Sequence, residues 1–87
     1  MAEFTLGQIV ISRQGKDTGL EYVVSGFEAD GRLKLIRPDK FNVTHPKKKN
    51  VRHLQGTSRT AESLTEKIKA GSDIDAGNFH RSVRNGK

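Results

Sequence analysis

The hydrophobic positions of this chain fall in short runs, and the first two runs are apolar on both sides. Residues 8–12 and 20–27 are rich in Val, Ile, Tyr and Phe. Their consecutive apolar residues, as in Ile9-Val10-Ile11, would point to opposite faces of an extended strand. This pattern predicts strands that are central in a sheet or strongly curled.

The following runs alternate between apolar and polar residues. Arg32-Leu33-Lys34-Leu35 predicts a half-buried strand whose basic side chains face water. Phe41-Asn42-Val43-Thr44 alternates in the same way and predicts a further strand. Val51 and Leu54 indicate a short last strand, or an extended segment, that closes the sheet.

Turn signals separate these runs. Gly15 and Gly19 can adopt positive φ, so residues 15–19 predict the tight turn of a hairpin, which Asp17 is expected to stabilise. Two more turns are predicted at Ala29-Asp30-Gly31 and Pro38-Asp39. Short strands joined by tight turns, with no helix between them, favour an antiparallel sheet curled into a small barrel. Periodicity alone leaves the type of barrel open, an oligonucleotide-binding barrel included.

The apolar spacing becomes helical after residue 56. Ala61, Leu64 and Ile68 predict a short amphipathic helix, with a cap at Ser58 or Thr60 and an end at Gly71. A second helix is predicted from a cap at Ser72 toward Arg81 and Arg84. Helices this short are marginal on their own, so we expect a tail that is mobile or packs weakly on the barrel. These patterns divide the chain into a barrel at residues 4–56 and a helical or flexible extension at residues 57–87.

The positive charge is concentrated in the middle of the chain. The formal net charge is +6 over 87 residues, but residues 31–60 hold nine basic residues against Asp39 alone. Such an asymmetry would orient the protein on a phosphate backbone and speed their encounter. Aromatic residues are few and most should lie in the core, which favours recognition of folded RNA by shape and backbone over a platform for base stacking.

Several kinds of chemistry find no support in the sequence. The chain has no cysteine, and His45, His53 and His80 lack the spacing of metal ligands, so neither a metal nor another cofactor is expected. No nucleophile elbow or phosphate-binding loop is present, so no enzyme activity and no small-molecule substrate are expected. The longest apolar run is far too short to span a membrane, which predicts a cytoplasmic protein without a membrane partner.

The glycine turn and a later basic segment together carry a resemblance to a known family. Leu6-Gly7-Gln8-Ile9-Val10, Gly15-Lys16-Asp17-Thr18-Gly19 and Val23-Val24-x-Gly26 resemble the KOW motif. Pro46-Lys47-Lys48-Lys49-Asn50-Val51-Arg52-His53-Leu54 is similar to a segment of small bacterial KOW-domain RNA-binding proteins, which are related to large-subunit ribosomal proteins of archaea and eukaryotes. The resemblance covers residues 5–56 and implies an SH3-like barrel of KOW type. The chain departs from the family at Pro38-Asp39-Lys40, where relatives commonly have an Asp-Gly turn.

The resemblance and the charge pattern together predict a ribosomal or ribosome-associated protein that binds structured RNA, with ribosomal RNA of the large subunit as the expected target. Basic residues would neutralise phosphates, and the glycine turn would add contacts from its tip. Neighbouring ribosomal proteins are further expected partners. The candidate RNA-binding residues are Arg13, Gln14, Gly15, Lys16, Lys47, Lys48, Lys49, Asn50, Arg52 and His53. The alternative is a protein-interaction module of the translation or transcription machinery that binds through an edge of the barrel.

Overall fold

A computed structural model describes residues 4–86, which form five strands, one 3-10 turn and two helices. In chain order these are β1 (Gln8–Ser12), β2 (Glu21–Phe27), β3 (Arg32–Ile36), β4 (Lys47–Asn50), the 3-10 turn (Val51–His53), β5 (Leu54–Thr60), α1 (Glu62–Lys69) and α2 (Ala76–Arg84). The predicted class, a mainly β fold with an antiparallel sheet and a partly helical end, is confirmed. Neither helix in this part of the chain is long and apolar enough to cross a membrane.

The five strands form one antiparallel sheet in the order β4-β3-β2-β1-β5. Ile9 lies opposite Val23, and Val23 lies opposite Ile36, so the three central strands are in register through one apolar row. The chain reverses between β1 and β2 with φ of 88° at Gly15 and 92° at Gly19, as the predicted turn requires. The arrangement is compatible with a small barrel.

Both faces of the sheet are covered by apolar residues. One cluster lies between the sheet and the two helices and consists of Ile9, Val23, Ile36, Ala61, Leu64, Ile68, Ile74, Phe79 and Val83. The other lies on the opposite face and consists of Val10, Tyr22, Val24, Leu33, Leu35 and Leu54. Successive residues of a strand point to opposite faces, so β1 and β2 need consecutive apolar residues to fill both clusters. This explains the two-sided pattern of the first two runs.

The predicted strand at residues 41–44 is wrong. Phe41 makes an isolated bridge to Arg37, and the chain then bends instead of continuing as a strand. The Asn42 side chain is the physical reason: its Nδ2 donates to the Ile74 carbonyl at 2.7 Å, and its Oδ1 accepts from the Ile74 N–H at 2.8 Å. These bonds anchor the loop to the segment between the helices and override the local alternation. The fourth strand is instead formed by the lysine run, where Lys47 pairs with Leu35 and Lys49 with Leu33.

Both helices that follow β5 are packed into the core, which differs from the expectation of a tail that is mobile or packs weakly on the barrel. Leu64, Ile74 and Phe79 are at most 2% exposed and share a cluster with Ile9 of β1. The polar residues around them in the sequence hide this packing. It becomes evident only when the apolar face of the sheet, which the helices cover, is known. The strand β5 runs across the predicted boundary between residues 56 and 57.

The helix ends differ in part from the predicted ones. Helix α1 starts after Ala61, without a side-chain cap, because the expected caps at Ser58 and Thr60 lie within β5. Its end agrees with the prediction, since Gly71 follows with φ of 76°. Helix α2 is capped by Asp75 rather than Ser72, and the Asp75 Oδ2 accepts from the Asn78 N–H at 3.0 Å.

Candidate nucleic-acid interface

The glycine turn, residues 15–19, lies in the connection between β1 and β2 and closes their hairpin. At the base, the Ser12 N–H donates to the Leu20 carbonyl at 3.0 Å, and the Gly19 N–H donates to the Ser12 carbonyl at 2.8 Å. Within the turn, the Thr18 hydroxyl donates to the Gly15 carbonyl at 2.7 Å. The turn is therefore held by its own hydrogen bonds, and its exposed tip carries Lys16.

A polar network beneath the turn is centred on Asp17. Its Oδ1 accepts from the Ser12 hydroxyl at 3.0 Å and from Lys49 Nζ at 3.1 Å, and its Oδ2 accepts from the Tyr22 hydroxyl at 2.7 Å. The same Lys49 ammonium donates to the Ser12 hydroxyl at 2.8 Å and to the Gln14 carbonyl at 2.9 Å. The Lys49 and Asp17 side chains are only 11% and 16% exposed. Lys49 thus fastens β4 to the glycine turn, and the predicted stabilising role of Asp17 is confirmed.

The network shifts the pKa values of its two acidic groups in opposite directions. Burial alone would raise the pKa of Asp17, but hydrogen bonds from Tyr22, Lys49 and Ser12 outweigh it and hold that pKa well below its ordinary range. Burial, followed by the hydrogen bond to Asp17 and the charge of that carboxylate, raises the pKa of Tyr22 well above its ordinary value. At neutral pH, Asp17 is an anion that two hydroxyls and an ammonium already satisfy.

The other two lysines of β4 lie on different sides of the strand. Lys47 points to the same side as Lys49, with its Nζ 4.9 Å from the centre of the Phe41 ring and 3.9 Å from the Asp17 carboxylate. Lys48 points to the other side, where its Nζ forms a 2.8 Å ion pair with Glu28. The three consecutive lysines therefore do not present one uniform charged face.

The 3-10 turn connects β4 to β5 and contacts the chain just after the end of β1. The Asn50 Oδ1 accepts from the Arg52 N–H at 3.1 Å, so Asn50 caps the turn. The Arg13 N–H donates to the His53 carbonyl at 2.8 Å, which places Arg13 beside the end of the turn. The side chains of Arg13 and Arg52 are exposed, whereas His53 is half-buried.

A cavity of about 250 Å³ opens between the glycine turn and β4. Four lysines line it, namely Lys16, Lys40, Lys47 and Lys49, and its one lining carboxylate is that of Asp17. Lys40 is absent from the candidate RNA-binding residues that were predicted from the sequence. It reaches the cavity because residues 37–41 form a tight turn, in which the Lys40 N–H donates to the Arg37 carbonyl at 2.8 Å. The Pro38-Asp39 signal predicted this turn but not what it would lie beside.

The structure brings most of the candidate residues into one region, but it gives them different tasks. Gln14 contributes its carbonyl to the Lys49 ammonium, Asn50 caps the 3-10 turn, and Lys48 is paired on the other side of β4. Within residues 4–86, no ion pair engages Arg13, Lys16, Lys40 or Arg52. We define the basic surface as Arg13, Lys16, Lys40, Lys47 and Arg52.

A comparison of the chain with models of protein families gave no match, and a comparison with curated proteins gave none either. The site must therefore be interpreted from its own chemistry. In the part of the chain that the structure describes, no group of three or more histidine, cysteine or acidic residues could hold a metal ion. What the region offers is a set of exposed cations on a rigid support, an arrangement suited to a polyanion.

Proposed function

We propose that this protein is a non-enzymatic RNA-binding module that docks its basic surface on structured RNA, with ribosomal RNA of the large subunit as the target. The observation that carries the proposal is the placement of Lys16, Lys40 and Lys47 around one cavity whose carboxylate, Asp17, is already satisfied internally. Lys16 and Lys40 form no ion pair within residues 4–86, and Lys47 has only a 3.9 Å contact with the Asp17 carboxylate, so these cations remain available to neutralise phosphates.

The resemblance to KOW-domain proteins supports the same proposal. The glycine turn and the lysine segment carry that resemblance, and the Asp17 network joins them. Lys49 of the lysine segment donates to Asp17 in the glycine turn and to Ser12, which lies 37 residues earlier in the chain. A five-stranded antiparallel sheet supports assignment to an SH3-like barrel of KOW type, and we include that assignment in the proposal. Rigid support for the turn would let Arg13 and Lys16 approach RNA without a large cost in ordering.

The proposal is tested by a charge reversal that leaves the internal network intact. The variant Lys16→Glu, Lys40→Glu, Arg52→Glu changes three exposed cations of the basic surface, and a matched variant, Lys67→Glu, Lys69→Glu, Arg81→Glu, makes the same change in charge on the helices. Affinity for purified ribosomal RNA is measured over a series of salt concentrations. Each lost phosphate contact should reduce the slope of log affinity against log salt by about 0.9, so the first variant should lose about 2 to 3 from the slope.

The matched variant decides whether the basic surface or the net charge is responsible. We expect its slope to stay close to that of the natural chain, and the natural chain to co-sediment with large subunits at low salt and to dissociate as salt rises. An equal reduction of the salt slope in both variants would show that only the overall charge of the protein matters. No binding of RNA by the natural chain would overturn the proposal and favour the alternative, a protein partner bound through a strand edge.

A further inference from the structure

Two large hydrophobic side chains are exposed in the described part of the chain, and they line the same cavity. Phe27, at the end of β2, is 52% exposed, and Val51, in the 3-10 turn, is 37% exposed. The cavity measures about 380 Å³, and Phe4, Leu33 and Arg32 also contribute to its lining. Apolar side chains left at a surface cavity indicate a place where another apolar group can bind.

The size of this apolar surface favours a single small group over a protein partner. A stable protein interface buries about 800 Å² on each partner, with roughly 20 to 30 residues a side. Here the exposed apolar surface is one aromatic ring with one valine beside it, in a cavity near the lower end of the roughly 300 to 1,000 Å³ that small-ligand sites occupy. One planar ring fits the cavity better than an extended protein surface does.

The charged groups in and near the cavity, two acidic and two basic, leave room for a group that is joined to phosphates. Glu28 is paired with Lys48 at 2.8 Å and Asp30 with Arg32 at 2.8 Å, so neither carboxylate is left to repel an anion. The Arg32 and Lys48 side chains stay 44% and 46% exposed and can still approach a phosphate. Val51 of the cavity and Arg52 of the basic surface are consecutive residues of the same 3-10 turn.

We propose that the cavity binds one unpaired RNA base, which stacks on the Phe27 ring and packs against Val51 while the flanking phosphates lie near Arg32 and Lys48. The inference rests on the proposed function and adds a base contact to what would otherwise be recognition of shape and backbone. Base stacking on an aromatic ring is tolerant of sequence, because every base has a π face. The site would therefore select RNA with an unpaired base at the right place rather than one particular base.

The test compares two RNA hairpins that differ in one nucleotide. One is fully paired, and the other carries a single unpaired adenine bulged from the stem. A stacked base contributes about 1 to 3 kcal/mol, so the natural chain should bind the bulged hairpin roughly 5- to 150-fold more tightly. Phe27→Ala should remove this preference, whereas Phe27→Tyr, which keeps the ring, should retain it. Phe27→Leu, which is apolar without a ring, should lose most of it.

Nuclear magnetic resonance supplies a readout that does not depend on a substitution. The Val51 methyl resonances should shift when the bulged hairpin is added to the natural chain, because a stacked base brings a ring current beside them, and should stay in place with the paired hairpin. Equal affinity for the two hairpins, a preference that survives Phe27→Ala, or unmoved Val51 methyls would each overturn the base site alone. Failure to bind either hairpin would instead overturn the proposed RNA-binding function on which the inference rests.

Discussion

Neighbouring lysines of β4 occupy different surroundings, although they are identical in the sequence. Lys49 donates to three oxygens beneath the glycine turn, Lys47 lies over the Phe41 ring, and Lys48 pairs with Glu28 on the other side. The alternation of a strand places Lys47 and Lys49 on one side and Lys48 on the other. An ammonium that is nearly buried must have its partners, whereas an exposed one can exchange them for water.

Substituting Lys49 should therefore destabilise the fold far more than substituting Lys48. Lys49→Met removes the ammonium and leaves the Asp17 carboxylate with one charged partner fewer in a largely buried position. Breaking such a pair costs about 3 to 5 kcal/mol. Lys48→Met, the matched control in the same strand, breaks an exposed pair and should cost at most about 1 kcal/mol. The free energy of unfolding, measured by urea denaturation, gives both values, and equal losses would contradict the assigned role of Lys49.

At the scale of secondary-structure elements, the two helices cover one face of the sheet. Ile9, Val23 and Ile36 form a row across three strands, and without cover this row would face water. Phe79 of α2 and Leu64 of α1 supply that cover and are almost fully buried. The sheet and the helices therefore share one core, and the stability of each depends on the other.

Removing the largest side chain of this cover should destabilise the whole fold. Phe79→Ala leaves a cavity beneath the sheet and should lower the free energy of unfolding by about 3 to 5 kcal/mol. Arg84→Ala is a suitable control because Arg84 lies in the same helix and is exposed, so its loss should stay within about 0.5 kcal/mol. Thermal unfolding of the two variants provides the measurement. A small effect of Phe79→Ala would mean that α2 is not needed to cover the sheet.

Local signals predicted some of these elements and missed others. The glycines at 15 and 19 and the alternation at residues 32–35 are local features, and both gave the right structure. The strand expected at residues 41–44 failed because Asn42 bonds to Ile74, a residue 32 positions away. The role of Lys49 was equally hidden, since it depends on the register that places β4 beside Asp17. Long-range partners of polar side chains have no signature in a single sequence.

At the scale of the whole molecule, the charged residues differ in whether they form ion pairs as well as in where they lie along the chain. The chain carries +6 overall, yet the acids of the described sheet and its turns are largely engaged: Asp17 with Lys49, Glu28 with Lys48, and Glu21 with Arg59. Four cations of the basic surface take part in no ion pair within residues 4–86, and the fifth, Lys47, has only its 3.9 Å contact with Asp17. Stability and binding thus draw on different charged groups, and pH should affect stability mainly through the buried network.

The free energy of unfolding should be nearly constant from about pH 5 to pH 9 and fall on both sides. On the acid side, the pKa of Asp17 is depressed in the folded state, so the unfolded chain binds protons first and stability is lost as pH falls. On the alkaline side, the pKa of Tyr22 is raised in the folded state, so the unfolded chain loses its proton first and stability falls as pH rises above about 10.

Two variants separate the limbs of this profile. Asp17→Asn should flatten much of the acid limb, and the remainder should come from exposed carboxyls such as that of Asp75, whose pKa is lowered by the hydrogen bond from the Asn78 backbone. Tyr22→Phe should flatten the alkaline limb. Denaturation at a series of pH values measures both, and an acid limb unchanged in Asp17→Asn would show that other carboxyls control it.

The three lysines of β4 have different roles, and this has a practical consequence for mutagenesis. A block replacement of the three lysines would remove three things from a single protein: the Lys49 ammonium that holds the fold, the ion pair of Lys48 with Glu28, and the half-buried Lys47 cation over the Phe41 ring. Its failure to bind RNA would then report unfolding as readily as a missing contact. Screens of this chain should change Lys49 alone and score it for folding, and should map binding with Lys16, Lys40 and Arg52, whose side chains are exposed.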